Sequence, residues 1–360
     1  MKRRAFLAAS SALGLTTGLA ALGGIQGTRV LVLGGTGFFG PVLVRELLRN
    51  GANVTLFNRG QTNPHLFPQI EKIRGDRELP DARGLVALAE SRARWDWVVD
   101  TWQGSSACVA DTARLLHGRV EQYQYVSTVS VYDKWDRIGI QESEPLNPVP
   151  PGPEPLVSPH RYALRKTLSE QLLGELLPER SVFFRSHGMR GYPNSAPKHE
   201  PYWQVKIMRG GDLVLPADIE YYQVTDMVSL ARFMIHCGRT QQTGPFNVCY
   251  PPIRLRRFIE GIVRDTRSGV RLHWIPQEFL LAHQVRLLRG TPAGRYRFDV
   301  SKALAAGLEN RSLSELLADQ LQGYRDRHPG DDFRFGGEGT STISSQREQE
   351  IIRLWRERRG

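Results

Sequence analysis

A glycine-rich turn between an apolar strand and a helix is the feature that most limits what this chain can fold into. Residues 28–33 are mostly branched and apolar, as in a buried strand, and residues 41–49 have the apolar spacing of a helix. Between them lies Gly-Gly-Thr-Gly-Phe-Phe-Gly, which places a Gly-x-Gly-x-x-Gly pattern from Gly35 to Gly40. Between a strand and a helix, this pattern predicts a turn that binds the pyrophosphate of a dinucleotide at the helix N-terminus.

Each glycine of the pattern has its own predicted task. Gly35 permits the tight turn, Gly37 lets the pyrophosphate approach the backbone, and Gly40 lets the helix pack against the strand. We therefore expect the whole turn to bind the cofactor, that is Gly34, Gly35, Thr36, Gly37, Phe38, Phe39 and Gly40.

The ends of the next two predicted strands hold further cofactor-binding candidates. The strand at 53–57 ends without the acidic residue that commonly binds a ribose 2′-hydroxyl, and Asn58 and Arg59 follow instead. Both could hold a 2′-phosphate, so the sequence favours NADP, with NAD as the alternative and a solvated Arg59 as the simpler interpretation. Asp76 and Arg77 lie at the end of the short third predicted strand, which finishes in a turn, and Asp76 is placed to accept a hydrogen bond from an adenine amino group.

Strands and helices alternate through the rest of the N-terminal half. Further strands are predicted at 73–77, 95–101 and 123–132, with helices at 85–93 and 107–117. This alternation predicts an α/β fold with a Rossmann-type, doubly wound parallel sheet, followed by a smaller C-terminal substrate lobe.

Tyr162 and Lys166 are the candidate reactive pair. They are four residues apart in a helix predicted to run to about Leu177, so they share one helix face. Lys166 can lower the phenol pKa and hold the cofactor ribose, while Tyr162 exchanges a proton with a substrate hydroxyl or carbonyl. Thr128, at the end of the fifth strand, can orient the same oxygen. The spacing alone is a weak signal, and its position after five strands gives it weight.

Together these residues resemble the extended short-chain dehydrogenase/reductases, the NAD(P)-dependent sugar epimerase/dehydratase group. The resemblance spans about residues 28–330 and includes the glycine turn, Asp76, the run at 126–132, Tyr162 and Lys166. Later segments share it: Arg185 with Gly191 and Pro193, Asp226 before a helix, and a strand at 244–248.

The resemblance implies a small, sugar-like substrate and names the catalytic triad as Thr128, Tyr162 and Lys166. It also implies that Lys166 and Arg185 bind the cofactor, and that a homodimer forms through the helices at 107–117 and 162–177. Sugar-nucleotide 4,6-dehydratases of the group carry an Asp-Glu pair after the threonine. Val129 and Ser130 stand there, and neither can act as the acid or base for eliminating water, so dehydration is disfavoured.

The first 27 residues are predicted to be an export segment. Lys2 and the Arg3-Arg4 pair precede Phe6, Leu7 and an uncharged stretch, which resembles a twin-arginine signal. An uncleaved membrane anchor is the alternative; after cleavage we expect no membrane insertion and a periplasmic or extracellular protein. Because that route carries folded proteins, a tightly bound cofactor and a redox-neutral cycle fit it best.

The remaining organisation is predicted as an NAD(P)-binding domain at 28–184, a substrate lobe at 185–330 that also supplies the last Rossmann elements, and a C-terminal region at 331–360. A proline-rich insert at 145–159 should form a surface loop near the site. Residues 345–355 predict a short amphipathic helix, begun by a capping box at Ser345, that docks on the body. Substrate candidates, each also plausible as a structural residue, are His187, Arg190, His199, Tyr202, Trp203, Arg209 and Tyr221.

Charge and cysteine content separate the remaining functions. The chain has 48 Lys and Arg against 37 Asp and Glu, a net charge of +11, which favours anionic ligands. No stripe of basic and aromatic residues is visible, so nucleic-acid binding on this fold is a disfavoured alternative. The other alternative function is an NADPH-dependent reductase of a small carbonyl compound. The three cysteines fit no metal site, and we expect buried thiols and no metal.

Overall fold

A computed structural model describes residues 24–150, 161–192, 200–288, 292–336 and 342–359. The predictions for residues 1–23, for 151–159 of the proline-rich insert, and for Pro193 and His199 lie outside the described residues. Among those that are described, no helix combines the length and the apolar character needed to cross a membrane.

The N-terminal half alternates strands and helices as predicted. Its elements are β1 Arg29–Leu33, α1 Gly40–Arg49, β2 Asn53–Asn58, β3 Glu71–Arg74, α2 Val86–Glu90, β4 Trp95–Asp100, α3 Ser106–Leu116, β5 Val120–Thr128, α4 Arg161–Leu176 and β6 Ser181–Ser186, with short 3₁₀ turns at Pro80–Leu85 and Val129–Val131.

The C-terminal half adds shorter elements. They are α5 Tyr202–Arg209, β7 Asp212–Pro216, β8 Tyr221–Tyr222, α6 Met227–Arg239, β9 Gly244–Val248, β10 Ile253–Arg254, α7 Leu255–Thr266, β11 Arg271–Ile275, α8 Gln277–Ala282, α9 Ser301–Ala305, α10 Leu313–Arg327 and α11 Ser345–Arg359.

Seven strands form one sheet in the order β3-β2-β1-β4-β5-β6-β9, and every neighbouring pair is parallel. The predicted doubly wound parallel sheet is therefore confirmed. The strand order reverses between β1 and β4, and in such sheets ligands bind outside the carboxyl ends of the strands at this reversal. The glycine turn follows β1 and so lies at that point.

Both faces of the sheet are covered, which explains why β1 is apolar from Val30 to Leu33. Val30 and Val32 contribute to the core that includes α1 and α6 residues, whereas Leu31 and Leu33 contribute to the core that includes α3 and α4 residues. Successive strand side chains point to opposite faces, so one strand serves both cores.

Two strands end earlier than the sequence predicts. β3 ends at Arg74, so Asp76 and Arg77 lie in the connection beyond it. β5 ends at Thr128, because the Thr128 hydroxyl accepts a hydrogen bond from the Ser130 N–H at 3.2 Å and starts a 3₁₀ turn. Thr128 is thus the last residue at the carboxyl end of its strand.

The C-terminal lobe has a separate apolar core and two small sheets, β7 with β11 and β8 with β10. Helix α11 docks on this lobe as predicted, with Ile351 and Ile352 buried. Its cap is Ser344, whose hydroxyl accepts from the Arg347 N–H at 3.2 Å, rather than the predicted Ser345. The three cysteines are free and buried, as expected: Cys108, Cys237 and Cys249.

Candidate active site

The glycine turn has the backbone geometry that only glycine adopts readily. Gly34 and Gly35 have φ angles of 116° and 90°, in the region that residues with a Cβ rarely occupy. A Cβ on Gly40 would lie 2.7 Å from the Gly35 Cα, so α1 begins directly against the turn. Gly35 and Gly40 therefore perform the packing tasks predicted for them.

A cleft of about 560 Å³ opens over the carboxyl ends of β1, β2 and β4. It is lined by residues 33–38, 57–62, 75–78 and 101–104, together with Tyr162 and Arg165. This volume suits a dinucleotide, and the turn offers backbone without side chains where a pyrophosphate would approach. Phe39, at the N-cap of α1, makes no side-chain hydrogen bond to the first N–H groups of the helix. The positive end of the helix dipole therefore faces the turn without a side-chain cap. The residues present therefore fit a dinucleotide.

The predicted turn residues divide into two groups. Gly34, Gly35, Thr36, Gly37 and Phe38 line the cleft. Phe39 is buried in the core beside α1, and Gly40 packs on Gly35, so both support the turn from behind.

At the end of β2, Asn58 organises the turn while Arg59 extends beside the cleft. The Asn58 amide donates to the Gly34 carbonyl at 3.0 Å, and its oxygen accepts from Arg74 at 2.9 Å. Arg59 is largely exposed and lies 3.4 Å from Glu78. Sequence reasoning missed Arg74 because only the β2–β3 register, which pairs it with Asn58, brings it here.

Asp76 and Arg77 both line the cleft, but their side chains differ in availability. Asp76 accepts a hydrogen bond from the Glu78 N–H at 3.1 Å, which stabilises the turn. The Arg77 guanidinium turns inward and makes two parallel hydrogen bonds to Asp100, at 2.8 and 2.9 Å. With its side chain 6% exposed, Arg77 offers a cofactor its backbone rather than its charge.

The structure brings Tyr162 and Thr128 together at the edge of the cleft. The Thr128 hydroxyl is near enough to the Tyr162 phenol to favour its charged form, and Tyr162 remains 39% exposed. Burial of the phenol raises the pKa of Tyr162, while the nearby Thr128 hydroxyl and the charge of Arg165 lower it. Sequence reasoning expected Lys166 to lower this pKa. Here Arg165 is the nearby cation, a residue that the spacing argument passed over.

Lys166 lies one turn after Tyr162 and is 2% exposed. Its ammonium donates to the carbonyls of Trp102 at 2.5 Å and Val126 at 2.6 Å, and it lies 4.3 Å from the centre of the Tyr125 ring. Burial lowers the pKa of Lys166 to about 7. The ammonium is therefore held against two strand ends, two residues before Thr128.

Arg185 does not line the cleft, contrary to the expected cofactor contact. It is buried in β6, where it bonds Glu170 on α4 at 2.6 Å and the Tyr132 hydroxyl at 3.1 Å. The carboxylate of Glu170 raises the pKa of Arg185 against the effect of burial. Because β6 lies beyond β5 in the sheet and Arg185 faces α4, its charge is used to fasten the helix.

Beside Thr128, the loop after β6 begins with His187. Thr128 pairs with Ser186 in the sheet register, so His187 is the next residue beyond the strand. Its ring lies 5.4 Å from those of Tyr296 and Phe298, and 6.4 Å from that of Trp135. Burial, with Arg190 and Arg295 adding to it, lowers the pKa of His187 to about 4.

Several other substrate candidates have structural contacts in the C-terminal lobe. Tyr202 and Trp203 belong to the lobe core, Arg209 binds Asp331 at 2.7 Å, and the Tyr221 ring lies between Arg254 and Arg297. Trp102 is a cleft residue that sequence reasoning missed, since it follows a strand with no pattern of its own.

The fold and the cleft define a Rossmann-like α/β protein with a dinucleotide-type cleft. Residues 30–184 match the model of the NAD dependent epimerase/dehydratase family. This segment holds the glycine turn, Thr128, Tyr162 and Lys166. A comparison with curated protein sequences finds no significant match.

Solved structures with similar folds cover most of the chain. The Bordetella bronchiseptica enzyme WbmH in complex with NAD⁺ has a TM-score of 0.63 at 16% identity, over 84% of this chain and 99% of that one. Epimerase Mth375 from Methanothermobacter thermautotrophicus has a TM-score of 0.61 at 17% identity, over 85% and 94%. Vestitone reductase from alfalfa has a TM-score of 0.58 at 16% identity, over 83% and 98%. At these identities the likeness shows the fold.

Proposed function

We propose that the protein is an NAD(P)-dependent, epimerase-type oxidoreductase that acts on a sugar or polyol by transient hydride transfer with a tightly bound cofactor. The observation that carries this proposal is the position of Tyr162, which lines the cleft of the glycine turn and has the Thr128 hydroxyl close to its phenol. A phenol there could exchange a proton with a substrate bound beside a dinucleotide. The family match of residues 30–184 supports the same reading.

The chain's own residues would handle the proton. A bound nicotinamide supplies a reversible hydride acceptor. Tyr162, in its deprotonated form, would accept the proton of a substrate hydroxyl while the hydride leaves the carbon that bears it, which gives a carbonyl. Thr128 would orient that oxygen. Lys166 would hold the ribose only after its ammonium turns from the Trp102 or the Val126 carbonyl toward the cleft. After the neighbouring centre changes or the carbonyl presents its other face, the hydride and the Tyr162 proton return, so no net oxidation remains.

The preferred cofactor is NADP, because Arg59 lines the cleft beside Asn58, where a 2′-phosphate would lie, and Arg74 bonds Asn58 from the neighbouring strand. Arg59 and Arg74 flank Asn58, which keeps the turn closed through its bond to Gly34. Glu78 pairs with Arg59 in this structure, and a 2′-phosphate would have to displace it. The same carboxylate could accept a bond from a 2′-hydroxyl, which is the specific observation in favour of NAD.

Export by the twin-arginine route remains part of the proposal and is supported by Arg3 and Arg4. A protein exported with its cofactor bound has no obvious free pool of NADP(H) from which to recycle it. A redox-neutral cycle avoids that difficulty, and a free or glycosidic sugar is a more natural substrate outside the cytoplasm than a nucleotide sugar.

A second candidate is an NADPH-dependent reductase of a small carbonyl compound. It is favoured by Val129 and Ser130, which leave no acid or base beside Thr128 for elimination, and by the structural likeness to vestitone reductase. Net consumption of NADPH in proportion to product would distinguish it from the redox-neutral cycle.

The first experiment is to purify the protein, denature it and identify any released nucleotide by mass spectrometry. We expect bound NADP(H) or NAD(H), and the presence of the 2′-phosphate decides between them. Empty protein that binds added NADPH would favour the reductase. Protein that contains no nucleotide and binds neither NADPH nor NADH would overturn the proposed function.

A further inference from the structure

Asp100 is a buried charge that the proposed chemistry does not use directly. It ends β4 beneath the cleft and is 0% exposed. Its carboxylate accepts two hydrogen bonds from Arg77, one from the Tyr123 hydroxyl at 2.6 Å, and one from the Trp102 N–H at 2.9 Å. Four donors satisfy a buried carboxylate fully, so the group is fixed in place and ionised. The pKa of Asp100 is lowered, because Arg77 and these hydrogen bonds outweigh burial.

Arg77 holds this carboxylate from the other side. Besides its two bonds to Asp100, its guanidinium donates to the Cys108 carbonyl of α3 at 2.8 Å and lies 5.3 Å from the centre of the Trp102 ring. The Cys108 thiol in turn donates to the Arg77 carbonyl at 2.9 Å. The pair therefore joins the connection after β3, the end of β4 and the start of α3.

Trp102 carries the effect of this pair to the reactive lysine. Its N–H is bound by Asp100, and its carbonyl accepts from the Lys166 ammonium at 2.5 Å. Its indole N–H donates to the Ser105 carbonyl at 3.0 Å. The N–H and the carbonyl of Trp102 are thus both hydrogen-bonded. Because Asp100 holds the N–H, it also fixes the direction of the Trp102 carbonyl.

We infer that Asp100, clamped by Arg77, is a positioning residue for Lys166: it directs the Trp102 carbonyl at the ammonium and places a fixed negative charge near it. This inference rests on the proposed function, in which Lys166 serves the cofactor. Asp100 itself touches neither cofactor nor substrate.

The charged side chains that influence Lys166 lie on several of the elements around it. Asp100 on β4 and Glu170 on α4 favour the charged form, whereas Arg77 and Arg165 oppose it less strongly than burial does. The Tyr125 ring of β5 faces the ammonium, and Tyr162 lies one turn earlier on α4. With Asp100 the larger of the two favourable charges, its removal should release the lysine proton at lower pH.

The test is a direct titration of Lys166 that needs no substrate. The chain contains seven lysines, so selective ¹³C labelling at lysine Cε gives few NMR signals, and Lys166→Arg identifies one of them by its loss. We expect the Lys166 signal to titrate near neutral pH. In Asp100→Asn the pKa obtained from this titration should fall by about one pH unit or more. An unchanged titration in folded Asp100→Asn would overturn the inference.

A second variant covers the event that an unpaired Arg77 prevents folding. Arg77→Met with Asp100→Asn removes both charges and leaves an acceptor for the Trp102 N–H, and buried pairs replaced in this way often keep their stability. In this double variant we expect a smaller fall in the Lys166 pKa, since Asp100 affects that pKa more strongly than Arg77 does. No shift in this folded double variant would also overturn the inference.

The matched control is Glu348→Gln, which breaks a buried pair with Lys206 in the C-terminal lobe. It should lower stability and leave the Lys166 titration unchanged, and an equal shift there would mean that Lys166 merely reports general loosening. NADPH binding is measured separately. A shifted titration in a protein that binds no nucleotide would defeat the proposed function alone, whereas normal binding with an unshifted titration would defeat the positioning role alone.

Discussion

Tyr162 and Thr128 form the contact on which the proposed chemistry depends. We predict that Tyr162→Phe lowers turnover by at least about 100-fold, because the phenol proton is lost while the ring and its packing remain. The variant should keep its bound nucleotide, as measured by mass spectrometry. Tyr221→Phe removes a phenol hydroxyl in the C-terminal lobe and should leave turnover unchanged. Equal activity in Tyr162→Phe and the native protein would contradict the assignment.

The buried His187 leads us to a prediction about the pH dependence of protein stability rather than about turnover. Burial lowers the pKa of His187 to about 4, below the value of about 6.5 expected in the unfolded chain. Between these values the unfolded chain binds the extra proton, so stability falls as the pH falls from about 6.5 to 4. The loss amounts to at most about 3 kcal/mol.

We therefore expect the acid-induced loss of unfolding free energy to be smaller in His187→Phe than in the native protein. Urea titrations at pH 7 and pH 4.5 measure it, and the comparison of variants cancels the carboxylates that also titrate. His65→Gln, at an exposed histidine, should behave like the native protein. A loss of the same size in His187→Phe would show that His187 is not held neutral.

Individual residues were predictable from sequence where their role is local. The glycine turn and the Tyr162–Lys166 spacing depend on neighbours within a few positions. The place of Arg185 outside the cleft and the inward direction of the Arg77 side chain were not foreseen, because their partners are 15 and 23 residues away, on elements that only the folded sheet brings close. A charged side chain placed in a cofactor turn does not reveal from its sequence that it faces inward.

At the scale of elements, the β1–turn–α1 unit carries the cleft and tolerates little change. Gly40→Ala would put a Cβ 2.7 Å from the Gly35 Cα. The neighbouring atoms are the backbone of Gly35, and no flexible side chain can move aside to relieve the clash. We predict that it lowers the free energy of unfolding by about 2 kcal/mol or more and weakens nucleotide binding, because the turn must shift.

The matched control for this variant is Gly174→Ala in α4, where an added Cβ meets nothing within 4 Å. A helical glycine replaced by alanine in open space should gain up to about 1 kcal/mol. Thermal unfolding and NADPH titration of the two variants make the comparison. If both were equally stable, the close approach of α1 to the turn would not be a real constraint.

β1, β2 and β4 were predicted within about a residue, whereas the edge strand β3 and the central strand β5 were not. β1 and β4 lie between two layers of helices and are almost entirely buried, which leaves little choice of limits. β3 is an edge strand with only partly buried or exposed side chains, so nothing in its composition marked where it begins or ends. The end of β5 depended on the hydrogen bond from Ser130 to the Thr128 side chain, a contact that no periodicity shows.

At the scale of the whole molecule, the C-terminal lobe is tied together by its last helix. Glu348 of α11 is buried, binds Lys206 of α5 at 2.5 Å, and accepts hydrogen bonds from the Tyr202 hydroxyl at 3.2 Å and the Val214 N–H at 3.0 Å. The sequence predicted a docked amphipathic helix here. The buried ion pair was not predictable, because Lys206 lies far away along the chain.

Removal of one partner of this pair should therefore destabilise the lobe strongly. We predict that Glu348→Ala lowers the free energy of unfolding by about 3 kcal/mol, since it leaves the Lys206 ammonium buried and unpaired. Glu350→Ala, two residues along and exposed in its pair with Arg347, should cost less than about 1 kcal/mol. Urea unfolding of both variants, with NADPH binding as a second readout, locates the effect. Because Glu348 contacts the C-terminal lobe and not the cleft, nucleotide affinity should persist in both while they are folded. Equal stability of the two variants would show that α11 is held by its apolar face alone.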